Sequence, residues 1–170
     1  MKISLIREVL LEPLSVLNTI SSSKNISFPI LSNILFIVKT DSIILSSTDL
    51  EIELSVTINN ISDVVGEFTI PCRKFYDIVK NFSEGSLLNL SFSETKISLT
   101  SGRSRFILTI LPASEFPLFE PDEDFSSFSI THSELKKCIY TTEFCMAFKD
   151  VRYYLNGLLF EIYNQKFKCV

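Results

Sequence analysis

The sequence contains no tryptophan, a single histidine and only four glycines in 170 residues. With His132 alone, no multi-histidine metal set can form, and no cysteine is paired with a histidine in sequence. His132 stands at a predicted helix start among polar residues, where capping or solvation is the simpler role. Scarce glycine leaves no phosphate-cradling loop, and no Gly-x-Ser-x-Gly turn occurs. Turns must rest on Asn, Asp, Ser and Pro instead. The four cysteines, Cys72, Cys138, Cys145 and Cys169, form no C-x-x-C pair, which leaves free thiols of a reducing cytoplasm as the plain reading. No run reaches the ~20 apolar residues of a membrane span. Lys2 and Arg7 interrupt the apolar start, so a leader is not expected and the location expected is cytoplasmic. Positive charge is not in excess: 16 Lys and Arg face 20 Asp and Glu, for a net charge of −4. Alone, that balance argues against a nucleic-acid partner. The argument is weak, because DNA responds to local potential and not to the sum.

What is present suits a packed domain, with 46% apolar and 21% charged residues. The length fits one domain, or one domain and part of a second. Residues 7–20 predict a helix with Leu10, Leu14 and Leu17 on one face and Pro13 as a point of kinking. Residues 24–28 predict a polar loop. Strands are expected over 30–38 and 42–46, joined by a turn at 39–41, and over 50–58, where Ile52, Leu54, Val56 and Ile58 alternate with polar neighbours. Gly66 marks a turn and 68–70 a short strand. Pro71 opens a second helix reaching about Phe82 and ended by Glu84-Gly85. Strands then follow at 87–92, 96–100 and 105–110.

Residues 111–125 hold three prolines and an acidic cluster, the composition of a linker. The expected division is a first domain over 1–121, a linker over 122–127 and the start of a second domain over 128–170. After the boundary the pattern restarts. A strand is predicted at 128–130, a capping box at Thr131 to Glu134, a helix to about Met146, and a strand over 154–163. Ser32-Asn33-Ile34-Leu35-Phe36 and Asn156-Gly157-Leu158-Leu159-Phe160 echo one another, a modest sign of internal duplication. The second unit is short for independent folding, and the pattern stops unfinished at Val170. The fold class expected is α+β, helices on antiparallel sheets, with the second domain incomplete.

Four constellations bear on function. Asp49, Glu51 and Glu53 suggest a metal-dependent nuclease, but a solvated strand face is the favoured reading. No catalytic residue, metal site or cofactor is expected. On the second helix, Phe75, Ile78, Val79 and Phe82 cluster on one side at 100° per residue, and Arg73 and Lys80 point away from it. Phosphate contact fits this pair, although from the helix alone an ordinary solvated face is favoured. In Ser101-Gly102-Arg103-Ser104-Arg105-Phe106, Arg103 and Arg105 are expected on one strand face and Phe106 and Leu108 on the other, as a charge-protected edge or a subunit seam. In Asp150-Val151-Arg152-Tyr153-Tyr154-Leu155-Asn156-Gly157, a cation and paired aromatics precede a strand; such a group binds a partner or simply packs.

Together with Thr48-Asp49-Leu50-Glu51, Pro71-Cys72-Arg73-Lys74-Phe75, Leu111-Pro112-Ala113 and Phe116-Pro117, these segments resemble, in order and spacing, the bacterial DNA polymerase III beta subunits, the beta sliding clamps. The resemblance spans the whole sequence. It implies a DNA clamp fold with two helices packed on antiparallel sheets per domain. It implies a non-catalytic accessory subunit of a DNA-directed DNA polymerase, which tethers the enzyme to double-stranded DNA as a ring-shaped dimer. The residues it assigns to DNA are Lys24 (where the match is inexact), Arg73, Lys80, Lys149, Arg152, Tyr153 and Tyr154. Arg152, Tyr154 and Leu155 fall on a pocket for peptides of the replicative polymerase and clamp loader. Lys74, Ile78, Phe82, Arg103, Arg105, Phe106 and Leu108 fall on the seam with a second clamp subunit. The family's following Thr-Asp-Gly-His-Arg segment is absent, so a truncated chain that forms no ring, and serves only as a clamp or loader interaction module, is the alternative expectation.

Overall fold

A computed structural model describes residues 2–21, 28–62, 64–118, 127–164 and 166–170. The chain divides into two compact units, Met1–Glu120 and Pro121–Val170. Most of the expected linker, and Lys24, lie outside the described residues.

In the first unit, strand β1 (Lys2–Ile6) runs directly into helix α1 (Arg7–Ser21). Leu10, Leu14 and Leu17 are fully buried along one face of α1. The helix continues through Pro13. An interior proline costs about 3 kcal/mol, whereas each buried leucine contributes roughly 2 kcal/mol; the stripe outweighs the break. A 3₁₀ turn, Pro29–Ser32, leads into β2 (Asn33–Val38), so the strand begins later than the apolar run implied. Strands β3 (Ser42–Thr48) and β4 (Glu53–Asn59) follow. Residues 49–52 form a turn and not the start of a strand. Leu50 adopts φ 77°, and the Asp49 carboxylate accepts from the backbone N–H groups of Glu51 and Ile52 at 3.0 and 2.9 Å. That carboxylate caps a turn, in the manner expected of Asp. Gly66 is the first residue of β5 (Gly66–Pro71), paired with Val38.

Helix α2 (Cys72–Lys80) begins after Pro71 and ends short of Phe82. Gly85, at φ +70°, makes the turn beyond it. Strands β6 (Leu87–Phe92), β7 (Lys96–Ser101) and β8 (Ser104–Thr109) form a meander. Leu111–Pro112 is a further short strand, β9, paired with β5, and Phe116 beyond it is buried. The early part of the proline-rich segment therefore packs with the first unit.

All pairings are antiparallel, in a four-stranded sheet β1-β6-β7-β8 and a five-stranded sheet β4-β3-β2-β5-β9. The helices pack on each other and α1 also on β3 and β4. One apolar cluster joins α1, α2 and both sheets. Phe36 and Phe68 stack at 5.1 Å, and Phe92 of the other sheet lies 4.8 Å from Phe68 and 6.1 Å from Phe36.

The second unit holds α3 (His132–Thr142), a 3₁₀ turn at Glu143–Cys145, another at Tyr153–Asn156, and the hairpin β10 (Phe160–Tyr163) with β11 (Lys166–Cys169). The capping box forms: the Thr131 hydroxyl accepts from the Glu134 N–H, and the Glu134 carboxylate accepts from the Thr131 N–H. Residues 128–130 are not a strand, although Phe128 stacks on Phe167 at 5.6 Å. The strand expected from 154 begins only at Phe160. The two echoing segments differ in form: a strand follows Ser32 at once, whereas residues 157–159 separate the turn ending at Asn156 from β10. Leu135, Cys138, Ile139 and Thr142 are half-buried, while Cys145 and Met146 are exposed because α3 ends before them. Among the described residues of this unit, none is fully buried.

Candidate nucleic-acid interface

Helix α2 is nine residues long and sharply two-sided. Phe75 and Val79 are fully buried and Ile78 and Phe82 half-buried, while Arg73, Lys74, Asp77 and Lys80 are exposed. Arg73, Asp77 and Lys80 share one face, since positions i, i+4 and i+7 recur there. Asp77 lowers the local positive potential, and its i+4 spacing from Arg73 is the sequence signal for it. The Lys80 ammonium sits 5.6 Å from the Tyr76 ring centroid. Among the described residues, neither Arg73 nor Lys80 forms an ion pair. Two exposed cations on one helix face can meet two backbone phosphates without reading base edges. The exposed side of α1 offers Val9, Glu12, Ser15, Val16 and Thr19 and no cation.

The first residues of α1 hold α2 in place. Arg7 Nε donates to the Val79 carbonyl at 3.2 Å and Nη2 to the Lys80 carbonyl at 2.9 Å. Nη1 bridges to Glu8 at 3.0 Å. The Glu8 carboxylate accepts from the Gly85 N–H at 3.1 Å. That bond, first among the causes, keeps the Glu8 carboxyl below the usual carboxylate range. Neither residue belongs to a motif of the sequence. The available signal was an arginine in the first turn of a helix, where the macrodipole disfavours a cation.

Arg103 lies in the turn between β7 and β8 and not on a strand face with Arg105, because Gly102 (φ +55°) turns the chain there. Arg105 Nε donates to the Ser98 hydroxyl at 3.2 Å. Phe106 meets Phe82 edge-to-face at 5.7 Å, and Leu108, Ile78 and Phe82 pack against the core. The fold thus brings Phe82 to Phe106 on β8, an outer strand of its sheet. Lys74 is exposed on α2.

In the second unit, the loop 147–156 is locked locally. Asn156 accepts from the Asp150 N–H and donates to the Asp150 carbonyl, at 2.9 and 3.0 Å. The Arg152 guanidinium pairs with Asp150 at 3.0 Å. This hydrogen bond holds the Asp150 carboxyl low and raises Arg152. Lys149 adopts φ 58° and lies over the Phe148 ring at 5.2 Å. Tyr153 and Tyr154 are largely exposed and meet edge-to-face at 5.9 Å, and Leu155 borders them. The pairing with Asp150 leaves Lys149 as the less engaged cation of this loop. Among the described residues, no group of three or more His, Cys, Asp or Glu is placed to hold a metal ion, and no helix is long and apolar enough to cross a membrane.

Residues 1–120 match the family described as DNA polymerase III beta subunit, N-terminal domain. The chain is 40% identical over 158 residues to the beta sliding clamp of Pseudomonas aeruginosa, covering 92% of this chain and 42% of that protein. It is 36% identical over 171 residues to the beta sliding clamp of Escherichia coli K12, covering 100% of this chain and 46% of that one. The crystal structure of the DNA polymerase III subunit beta from Pseudomonas aeruginosa superposes with a TM-score of 0.89 at 39% identity, over 96% of this chain and 44% of that chain. A sliding clamp of the same organism bound to griselimycin gives the same score and identity over 95% and 44%. The chain spans less than half the length of the relatives it matches. With 120 residues matched and the clamp fold reproduced, the chain belongs to the DNA polymerase III beta subunit family.

Proposed function

We propose that the chain is the N-terminal portion of a sliding clamp subunit, which tethers a replicative polymerase to double-stranded DNA and catalyses nothing itself. One observation carries the proposal: Arg73 and Lys80 stand on the exposed face of a helix whose opposite face is buried, in no ion pair among the described residues. Such a surface offers charge to phosphates and no side-chain pattern to bases. Lys149, Arg152, Tyr153 and Tyr154 add a second contact with the duplex, and Lys24 is a further candidate. The second unit is proposed as the start of the clamp's central domain. There Arg152, Tyr154 and Leu155 form one wall of a pocket for peptides of the polymerase and clamp loader. Lys74, Ile78, Phe82, Arg103, Arg105, Phe106 and Leu108 form the seam with a second clamp subunit.

Fluorescence anisotropy with two duplexes of unrelated sequence tests the DNA reading. Equal affinity for both is expected. R73Q/K80Q should weaken both about tenfold at low salt and reduce the slope of log K against log salt by about 2, close to one per lost phosphate contact. Unchanged binding by that double variant would sink the reading.

The open edge of β8 favours a second role, a module that binds clamp subunits or the loader without encircling DNA. Co-elution of the chain with a full-length clamp in size-exclusion chromatography is expected for this role. Separate elution at micromolar concentration removes its support.

A further inference from the structure

Helix α2 has little to hold its own ends. Nine residues form barely two and a half turns, and Pro71 at its start supplies no side-chain cap. At its end Asn81 satisfies part of the last turn, through its N–H and its amide nitrogen to Asp77. The Val79 carbonyl accepts the Phe82 N–H at 3.3 Å and keeps a second lone pair, and the Lys80 carbonyl points onward; carbonyls at a helix end take further donors from outside. Arg7 supplies them, from 72 and 73 positions earlier in the chain.

The attachment has four points. Arg7 Nε and Nη2 take the two carbonyls at 3.2 and 2.9 Å. The Arg7 backbone N–H donates to the Ser86 carbonyl at 2.9 Å. Glu8 takes the Gly85 N–H at 3.1 Å, at the residue whose left-handed φ redirects the chain. Glu8 also holds the remaining Arg7 nitrogen, Nη1. The Arg7 side chain is only 12% exposed, so its charge faces protein carbonyls and Glu8 and not solvent. A guanidinium suits this task because its donors lie in a fixed plane. Its charge also complements the negative end of the α2 dipole. Lys80 is the residue whose carbonyl is gripped, and its side chain is one of the two cations offered outward.

We infer that Arg7, oriented by Glu8, is a positioning residue for DNA binding: it fixes the last turn of α2 so that the Lys80 ammonium is presented to the duplex, and it makes no phosphate contact itself. This inference rests on the DNA reading of α2 proposed above. A purely electrostatic role makes different predictions. If charge near the interface were all that mattered, removing Glu8 would raise DNA affinity. If Arg7 touched phosphate, its loss would add to the loss of Lys80.

The test is anisotropy at low salt on the full 170-residue chain, comparing R7Q, K80Q, R7Q/K80Q and E8A with the parent on a single duplex. Expected are losses of about threefold for K80Q and for R7Q, and no further loss for the double variant, because both changes remove one presented cation. E8A should also bind more weakly, despite the gain of positive charge. Additive losses in the double variant would overturn the inference. So would E8A binding more tightly, or R7Q lowering the melting temperature while leaving the isotherm unchanged. Should R7Q fail to fold, E8A alone decides by the sign of its effect. If K80Q and R73Q leave binding unchanged, the DNA reading falls and the inference with it. If they weaken binding and R7Q and E8A do not, only the inference falls.

Discussion

At the residue scale, the cysteines separate by environment. Cys72, the first residue of α2, is fully buried, and burial pushes its thiol up to about 11. Cys145 is exposed in the turn after α3. The thiolate is the reactive form, so at pH 8 Cys145 should react with a thiol-specific dye within minutes and Cys72 only after denaturation. Mass mapping of the labelled peptides checks this; early labelling of Cys72 would mean that the core of the first unit opens readily. The same scale shows what local sequence conveys. Asp49 caps its own turn, and Thr131 and Glu134 cap α3, through partners two or three residues away. The capping box is therefore legible in the sequence, while residues 50–52 read as strand and form a turn, because alternation alone cannot tell a strand's first residues from the turn before it.

At the element scale, the helices and sheets stand on shared apolar contacts. Phe36 of β2 is fully buried and touches Phe68, Phe75 and Phe92, which lie on β5, α2 and β6. Phe36→Ala should cost about 4 kcal/mol, a large part of the 5–15 kcal/mol typical of a whole domain. Urea denaturation followed by circular dichroism measures it. A loss under about 1 kcal/mol would mean that the sheets do not depend on this ring. Element type was readable wherever periodicity was strong, as in α1, α2 and the meander β6 to β8. Three strands and the 3₁₀ turns of the described residues carry no such signal. Strands β1, β9 and β11 are short or lie at chain positions without a turn signal, and they exist because a partner strand accepts them.

At the scale of the molecule, the two units differ in what they bury. The first has a continuous core drawn from two helices and two sheets. In the second, every described residue keeps some exposure, and Leu135 and Ile139 of α3 are only half-covered. Stability follows buried apolar area, so amide hydrogens of 132–142 should exchange at least tenfold faster than those of α1 and α2. Hydrogen exchange with mass spectrometry measures the ratio. Equal protection would show that the second unit is stabilised by contacts other than side-chain burial.

The sequence by itself determined the faces: which side of each helix is apolar, which strands alternate, where proline and glycine interrupt, and that Arg73 and Lys80 share the polar side of α2. These depend on neighbours within a turn or two, and local geometry is common to all proteins. Only the tertiary structure decided that Arg7 grips the end of α2 from more than seventy residues away, that Phe82 meets Phe106, and that Asp150 engages Arg152 within a loop held by Asn156. The first two contacts depend on how the chain closes over long separations and the last on an irregular loop, and no periodicity records either.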